Sequence, residues 1–322
     1  MKRYLILSTF CMLSLSACES TSEQTNTQIK PTLLQSSADD WEYVAALSDE
    51  FNTTQIDSEK WDNDPGSWGP WSWETDNTWQ QDGNLNIQIN YKPHTAERHA
   101  YKSHGKKVET ELYYTSGILR SHQYQVYGYY EARLKGIPTY PAASPAFWIY
   151  SLTEEVQALG LRGTKEGEPT YSEVDIIELQ QAEWDKAHHT FEGPEVLDMN
   201  LHTRVIENGK EIWKRPNTHP ELTRNKIHGD FDPRDDFHVY GAQVTPEKIT
   251  WYLDGKKVAE KPNVYWHLPM HVTLSLGLRF PHVSYNNCPP EFVRCAVPSK
   301  ATAEGFPSTM QVDWVRVYKP RQ

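Results

Sequence analysis

The sequence predicts an all-β fold built from two packed antiparallel sheets. Apolar and polar residues alternate over short stretches, and residues 248–253 are the clearest example. A strong hairpin signal, Asp254-Gly255, follows that stretch directly. Helical periodicity is weak, and its best case, residues 152–161, is short. Regular short strands separated by turns are typical of sheets packed face to face, whose edges can curve into a groove that holds a polymer.

The same signals recur along the chain. Asp82-Gly83 and Asn208-Gly209 are turn dipeptides that border alternating stretches. Residues 129–135 and 311–318 also alternate with period two. No internal repeat and no second linker interrupt the pattern, so we expect one large domain over residues 40–322.

The first residues predict export and anchoring. Lys2 and Arg3 precede an apolar run from residue 4 to about residue 15, which is too short to span a bilayer. The run ends in Leu-Ser-Ala-Cys at residues 15–18, which is similar to a bacterial lipobox, so we expect a signal peptide over residues 1–18 and a lipid on Cys18. The alternative is an ordinary signal peptide with a chance cysteine. Glu19 favours the outer membrane by the same resemblance.

Residues 19–39 are rich in Ser, Thr and Gln and poor in aromatic residues, which predicts a flexible tether. We therefore expect a lipid-anchored protein of the cell envelope that contacts the membrane through the anchor alone. Beyond the leader, Cys288 and Cys295 stand seven positions apart, and an oxidising compartment favours a disulfide between them over two free thiols.

The composition favours some classes of binding partner over others. A net charge of −11 argues against nucleic acid, which requires a basic surface. Twelve Trp and eighteen Tyr favour a carbohydrate, because aromatic faces stack on sugar C–H faces, although aromatic residues also fill β cores. An anionic polysaccharide would need a locally basic groove on this acidic body.

Three carboxylates in residues 171–179 carry the chemistry. Glu173 and Asp175 share one face of a regular strand, whereas Glu178 would point to the other face. A β-bulge near Ile176-Ile177 restores the parity and aligns all three. Neighbouring acids repel one another and strands disfavour them, so a functional reason is expected.

The spacing of Glu173 and Glu178 suits a glycoside hydrolase that retains the anomeric configuration. Four strand steps separate the Cα atoms of Glu173 and Glu178 by about 13 Å, and two inclined side chains bring the carboxyls to roughly 5–6 Å. Retaining glycosidases need about 5–5.5 Å between nucleophile and acid/base. Asp175 can assist both groups. An exposed acidic strand or a calcium site is the competing interpretation.

The motif Glu-x-Asp-x-x-Glu in an aromatic β protein resembles the active strand of glycoside hydrolase family 16, and its flanks are most similar to the kappa-carrageenase branch. The resemblance extends from about residue 41 to residue 320. It rests on residues 71–73, 113–117, 127–133, 144–148, 171–179, 231–234, 236–238, 277–279, 281–282 and 304–307. It implies a β-jelly-roll of two curved antiparallel sheets with an open substrate groove.

The resemblance also implies roles. Glu173 is the nucleophile, Glu178 the acid/base and Asp175 the assisting carboxylate. Arg279 binds the 4-sulfate of the galactose before the scissile bond, a geometry that a guanidinium fork suits. The remaining substrate contacts it implies are Trp71, Trp148, His202, Trp213 and Arg215. Each of these residues has a structural alternative, such as core packing for the Trp residues or an ion pair for Arg279.

Two stretches depart from the family pattern. Residues 91–110, with His94, His99 and His104, are interpreted either as a basic loop that contacts sulfates or as a solvated loop, and the histidine spacing predicts no zinc site. Residues 154–169 match only loosely. By resemblance a structural calcium ion is possible, with Glu50 and Asp313 as ligands, although acidic residues in surface strands explain both equally well.

Together with the resemblance, the sequence predicts a monomeric retaining endo-hydrolase of β-1,4 galactosidic bonds in a sulfated red-algal galactan. The favoured polymer is kappa-carrageenan, and no cofactor is needed. Alternatives with the same chemistry act on furcellaran, porphyran or agarose, and a transglycosylase would lengthen chains instead. An alternative of another class is a non-catalytic, surface-anchored glycan-binding protein.

Overall fold

Two large, curved antiparallel sheets pack into a β-jelly-roll sandwich with an open groove, as the sequence predicts. The computed structural model describes residues 30–32, 40–99 and 106–321. The strands are β1 (Trp41–Tyr43), β2 (Trp61–Asp62), β3 (Ser72–Trp73), β4 (Thr78–Gln81), β5 (Asn84–His99), β6 (Lys107–Ser116), β7 (Ile118–Gln125), β8 (Gly128–Lys135), β9 (Ala143–Tyr150), β10 (Pro169–Glu178), β11 (Trp184–Asp185), β12 (Thr190–Phe191), β13 (Val196–Asp198), β14 (Leu201–Glu207), β15 (Lys210–Lys214), β16 (Lys226–His228), β17 (His238–Val244), β18 (Lys248–Leu253), β19 (Lys256–Pro262), β20 (Met270–Leu278), β21 (Val283–Ser284), β22 (Cys295–Ala296) and β23 (Ser308–Pro320). Two short helices are α1 (Thr153–Ala158) and α2 (Pro220–Thr223).

One sheet, here called the outer sheet, has the order β19-β18-β17-β8-β23-β5-β6-β3, with β1 and β4 paired to its members. The other, the groove sheet, has the order β15-β14-β10-β9-β20-β7-β2, with β13 and β16 extending it beside β10. The pairings are antiparallel except that of β3 with β6. Strand β10, which carries the acidic motif, therefore lies in the interior of the groove sheet.

Three hairpin turns match the turn dipeptides of the sequence. Asp82-Gly83, Asn208-Gly209 and Asp254-Gly255 join β4 to β5, β14 to β15 and β18 to β19. Both residues of each pair have positive φ, for example 45° and 82° at Asp254 and Gly255. This conformation matches the right-handed twist of the flanking strands, and glycine adopts it without strain.

The core lies between the sheets, because alternate residues of each strand point inward. From β10, Val174, Ile176 and Ile177 enter a continuous apolar cluster with Phe147 and Trp251, and all five side chains are fully buried. Burying a large apolar side chain stabilises the fold by roughly 1.5–3 kcal/mol. The same alternation exposes the other face of the groove sheet to the groove.

The segments predicted as signal peptide and tether lie mostly outside the described residues. The predicted signal peptide and Cys18 fall there, as does the predicted tether apart from residues 30–32. The backbone N–H and hydroxyl of Thr32 donate to the buried carboxylate of Glu131 in the outer sheet. Within residues 30–32, 40–99 and 106–321, no helix combines the length and apolar character that a membrane crossing requires.

Cys288 and Cys295 form the predicted disulfide, with a Cα–Cα distance of 5.6 Å. The calcium hypothesis does not fit its two candidate ligands. Glu50 accepts two hydrogen bonds of 2.8 Å from Arg316, and Asp313 pairs with Arg133 at 2.6 Å. A guanidinium already neutralises each carboxylate, so calcium would have to displace it.

The histidine-rich stretch is mainly a hairpin and not a loop, because β5 and β6 pair across it. His94 bonds Ser72 at 2.7 Å, and the buried Arg98 donates to the carbonyl oxygens of Gly69 and Trp71. These side chains therefore support the segment that carries Trp71. His104 lies outside the described residues.

Candidate active site

A bulge in β10 aligns the three carboxylates, as predicted. Asp175 lies opposite Trp148 of β9, but Ile177 lies opposite Phe147, so the register shifts by one residue between them. Ile176 is the extra residue, and Ile176 and Ile177 both enter the core. The shift returns Glu178 to the face that holds Glu173 and Asp175.

Two buried indoles hold the strand from behind. Trp251 of the outer sheet donates to the carbonyl oxygen of Asp175 at 3.0 Å, next to the bulge. Trp266 donates to the carbonyl oxygens of Glu173 and His202, both at 2.9 Å. A bulge leaves backbone groups without a partner in the ladder, and Trp251 supplies one for Asp175.

Glu173 receives contacts from neighbours on its own strand and on β14. The Tyr171 hydroxyl, two residues earlier and on the same face, donates to its Oε2. His202, opposite Glu173 in the pairing with β14, places Nε2 at 3.8 Å from Glu173 Oε1 and 3.2 Å from Asp175 Oδ2. His202 thus lies between the two carboxylates.

Charge and burial shift the proton affinities in this cluster. Burial raises the pKa of Asp175 to about 8, and the carboxylates of Glu178 and Glu173 add to the rise while His202 opposes it. Burial alone would lower the pKa of His202, but the carboxylates of Glu173 and Asp175 outweigh it and raise the pKa to about 9. Glu173, the stronger of the two acidic neighbours in this effect, therefore favours the imidazolium form of His202.

The acidic residues and His202 lie close enough together to bind a metal ion. Ligand atoms of Glu173, Asp175 and His202 all lie within 4.8 Å of one another. A metal ion would have to displace a proton from His202, because the neighbouring acids raise the pKa of its ring. The same three side chains can also exchange protons.

Glu178 pairs with an arginine that is distant in sequence. Arg279, just after β20, donates from Nη2 to Glu178 Oε1 at 2.7 Å and from Nε to Gln181 at 2.5 Å. Its third contact is with the carbonyl oxygen of Leu278 at 3.1 Å. Arg279 thus stands at the predicted site, but here it contacts a carboxylate of the chain itself.

A fourth carboxylate, Asp198, lies across the sheet from Glu178. The two residues are paired directly between β10 and β13, and Asp198 is 3% exposed. Lys226 of β16 approaches Asp198 to 3.5 Å and also bonds Glu192. Burial raises the pKa of Asp198 to about 7, although Lys226 lowers it. Its Oδ2 has no hydrogen-bond partner among the described residues.

Trp148 lies in the groove floor beside Asp175 and is partly exposed. Its indole donates to Ser275 Oγ at 3.1 Å and stacks on Tyr150 at 4.5 Å between ring centroids. Tyr150 in turn accepts a hydrogen bond from Arg120 at 3.1 Å. These contacts orient the Trp148 ring in the floor of the groove.

The structure does not support the predicted role of Trp71 as a sugar platform. Its side chain is 2% exposed and belongs to the core cluster, because the guanidinium of Arg294 covers its ring at 5.0 Å. Trp73 packs edge-on against it at 5.2 Å. In this conformation Trp71 offers no face to a sugar, and Arg294 would have to move before it could.

Trp213 of β15 borders the Glu173 end of the motif. It stacks on Tyr171 at 5.4 Å, and Arg204 lies over its ring at 4.5 Å. Arg215 is exposed and follows β15 in a turn, where its backbone carbonyl accepts from Thr218. The structure therefore brings Trp213 to the motif and leaves Arg215 at the rim.

Sequence reasoning did not assign Tyr171, Asp198 or Lys226. Period two on β10 places Tyr171 on the face of Glu173, so strand alternation alone could have identified it. Asp198 pairs with Glu178, and Lys226 pairs with Asp198, only because three separate strands lie side by side. No local pattern in the sequence indicates that neighbourhood.

The chain is similar to known proteins over most of its length. A family model described as beta-porphyranase A–D, GH16 domain, matches residues 41–320. A kappa-carrageenase of Pseudoalteromonas carrageenovora is 41% identical over 278 residues, which are 86% of this chain and 64% of that protein. The chain thus aligns with somewhat less than two thirds of that relative's length.

Solved structures of kappa-carrageenases are also similar to this chain. A kappa-carrageenase from Pseudoalteromonas carrageenovora in complex with a kappa-carrageenan tetrasaccharide is 38% identical with a TM-score of 0.75, covering 92% of this chain and 98% of that chain. A kappa-carrageenase from Zobellia galactanivorans is 33% identical with a TM-score of 0.76, covering 91% and 100%. With the family match spanning nearly the whole described domain, the chain belongs to glycoside hydrolase family 16.

Proposed function

We propose that this protein is a retaining endo-hydrolase that cuts β-1,4 galactosidic bonds in kappa-carrageenan. The observation that carries the proposal is the alignment of Glu173, Asp175 and Glu178 on one face of an interior strand by the bulge at Ile176. A row of acids at the floor of a groove fits two carboxylates that act on one glycosidic bond.

In the proposed first step, Glu173 attacks the anomeric carbon while Glu178 gives its proton to the leaving oxygen. In the second step Glu178 takes a proton from water, and that water releases the sugar from Glu173. Tyr171 and His202 orient the nucleophile, and Asp175 holds a proton between the two glutamates. The separation of roughly 5–6 Å between the two carboxyls remains a prediction. No organic cofactor takes part in this scheme.

The sulfated polymer is supported by a strip of arginines in the groove. Arg120, Arg204 and Arg279 lie on the groove side of β7, β14 and the end of β20. Each is paired with a carboxylate of the chain, and an anionic polymer would compete with that carboxylate for the guanidinium. Trp148, Trp213 and Arg215 are proposed sugar contacts beside this strip, and Trp71 joins them only if Arg294 withdraws.

Porphyran is the second candidate substrate, because the matching family model is described for beta-porphyranases. Purified kappa-carrageenan, furcellaran, porphyran and agarose, each incubated with the protein, separate these possibilities by new reducing ends and by product size. Proton NMR of the first products reports whether the anomeric configuration is retained. Release from porphyran without release from kappa-carrageenan would overturn the proposed substrate.

A non-catalytic glycan-binding protein would bind the same polymers without releasing reducing ends. A Glu178→Gln variant tests this alternative. Binding that persists while cleavage stops supports the hydrolase, and a wild-type protein that binds without cleavage would establish the lectin instead.

We also propose that the protein is a monomer held at the bacterial cell envelope, in the outer membrane, by a lipid on Cys18. Residues 1–18 serve as the leader and residues 19–39 as the tether in this scheme. Labelling with a radioactive or clickable fatty acid, lost on Cys18→Ser, tests the anchor. Size-exclusion chromatography with light scattering tests the monomer.

A further inference from the structure

A small hairpin follows β10 and exposes aromatic side chains to solvent. Its strands β11 and β12 begin shortly after Glu178, and Trp184 pairs with Phe191 across them. Trp184 is 49% exposed and Phe191 is 37% exposed. Contiguous exposed aromatic side chains, unlike isolated ones, are typical of a binding surface. The reaction proposed above gives these two residues no role.

One lysine fixes the base of the hairpin. Lys226 of β16 bonds Glu192 at 2.8 Å and Glu183 at 3.0 Å, one on each side of the base. The backbone N–H of Glu192 also donates to the carbonyl oxygen of Glu183 at 2.9 Å. The same lysine approaches Asp198, the strand partner of Glu178, to 3.5 Å. The hairpin is therefore held beside the Glu178 end of the motif.

Aromatic stacking connects the hairpin to the groove. Phe191 stacks on Phe280 at 3.8 Å between ring centroids, and Phe280 follows Arg279, which bonds Glu178. Trp184 contacts Phe191 at 5.0 Å with the two rings at 73°. In such a T-shaped contact Phe191 covers at most one face of the Trp184 ring. Trp184, Phe191 and Phe280 thus form an aromatic wall that begins at the groove and ends in an open indole face.

The tip of the hairpin adds positive charge to this wall, although the protein as a whole is acidic. Lys186, His188 and His189 are exposed in the turn between β11 and β12. Asp185 in the same turn pairs with His188 at 2.5 Å. An open indole beside cationic side chains suits an anionic sugar chain, because the C–H face of a sugar stacks on the ring while its sulfate esters meet the charge.

We propose that the aromatic wall and the hairpin tip form an additional sugar-binding site. It holds a part of the sulfated galactan that lies beyond the sugars at Glu173 and Glu178. Trp184 stacks on a sugar ring, and Lys186 pairs with a sulfate ester. The site lengthens the groove at one end, so it raises the affinity for long chains and adds little for short ones. This inference rests on the proposed function, because it assumes that the polymer occupies the groove.

Affinity as a function of chain length tests the site. In a Glu178→Gln background, which slows turnover, calorimetry measures the dissociation constants of a kappa-carrageenan tetrasaccharide and a decasaccharide. An aromatic contact contributes about threefold to tenfold in affinity, so Trp184→Ala should weaken decasaccharide binding by that factor and leave tetrasaccharide binding as it was. Trp184→Phe keeps a ring at this position and should recover most of the affinity. In the active enzyme, the loss should appear in the KM for the polymer more than in kcat.

Leu161→Ala is the matched control. Leu161 is 51% exposed, much as Trp184 is, but it lies near the opposite end of β10, where the backbone N–H of Gly163 donates to the carbonyl oxygen of Pro169. Neither dissociation constant should change in this variant. An unchanged decasaccharide affinity in Trp184→Ala, or equal losses for both chain lengths, overturns the inference.

Hydroxyl-radical footprinting with mass spectrometry examines Trp184 without replacing it. In Glu178→Gln, the decasaccharide should reduce oxidation of Trp184 and leave that of Leu161 unchanged. Protection without sugar that grows with protein concentration would indicate a second copy of the chain on the wall and overturn the inference. If wild type releases no reducing ends and Glu178→Gln binds no tetrasaccharide, the proposed function fails. If both of these hold and Trp184 adds nothing for the decasaccharide, the hairpin site alone fails.

Discussion

His202 gives a prediction in which both the sign and the size follow from the structure. The side chain is 20% exposed and lies between Glu173 and Asp175. Its pKa rises from 6.5 to about 9 on folding. At about 1.4 kcal/mol for each tenfold change in proton affinity, this corresponds to about 3 kcal/mol of the free energy of unfolding.

Because the folded state binds this proton more tightly, the stabilisation is complete below pH 6.5 and is lost as the pH rises through about 9. We therefore expect His202→Gln to be less stable than wild type by up to about 3 kcal/mol at pH 6. The difference should shrink towards pH 10. Urea unfolding at several pH values, followed by Trp fluorescence, measures it.

His282 provides a control of opposite sign. Burial lowers its pKa, so its contribution is present above pH 6.5 and is lost as the pH falls. The difference between wild type and His282→Gln should therefore shrink on the acid side. A difference between wild type and His202→Gln that stays constant from pH 6 to pH 10 would refute the assignment of an imidazolium between the carboxylates.

Three further predictions test other parts of the site. Glu178→Gln should lower kcat on the natural polymer by about 10²–10⁴-fold, but much less on an aryl glycoside whose leaving group needs no proton; equal losses on both would contradict the role of acid. Tyr171→Phe removes a donor to Glu173 and should lower kcat/KM about tenfold, and an unchanged kcat/KM would count against the contact. Replacing Cys288 and Cys295 by serine should lower the free energy of unfolding by about 2.5 kcal/mol, which thermal unfolding measures. A reductant should then have no further effect on the variant.

Trp71 and Arg279 show that side-chain contacts could not be predicted from the sequence. Both residues stand in segments that resemble the family, and that resemblance implies substrate contacts for each. The structure instead covers Trp71 with Arg294 and pairs Arg279 with Glu178, 101 residues away. Motif matching indicates where a residue belongs in the family, but its contacts depend on side chains that arrive from distant parts of the chain.

By itself the sequence determined the sandwich, the three glycine hairpins, the disulfide and the bulge that aligns Glu173, Asp175 and Glu178. Those features follow from local rules, because side-chain alternation, turn dihedrals and the parity of a strand act over a few residues. Only the tertiary structure decided the charges around the motif. Asp198 and Arg279 meet Glu178, and Lys226 meets Asp198, through the order of strands in the groove sheet. Strand order is set by packing of the whole core rather than by any local pattern.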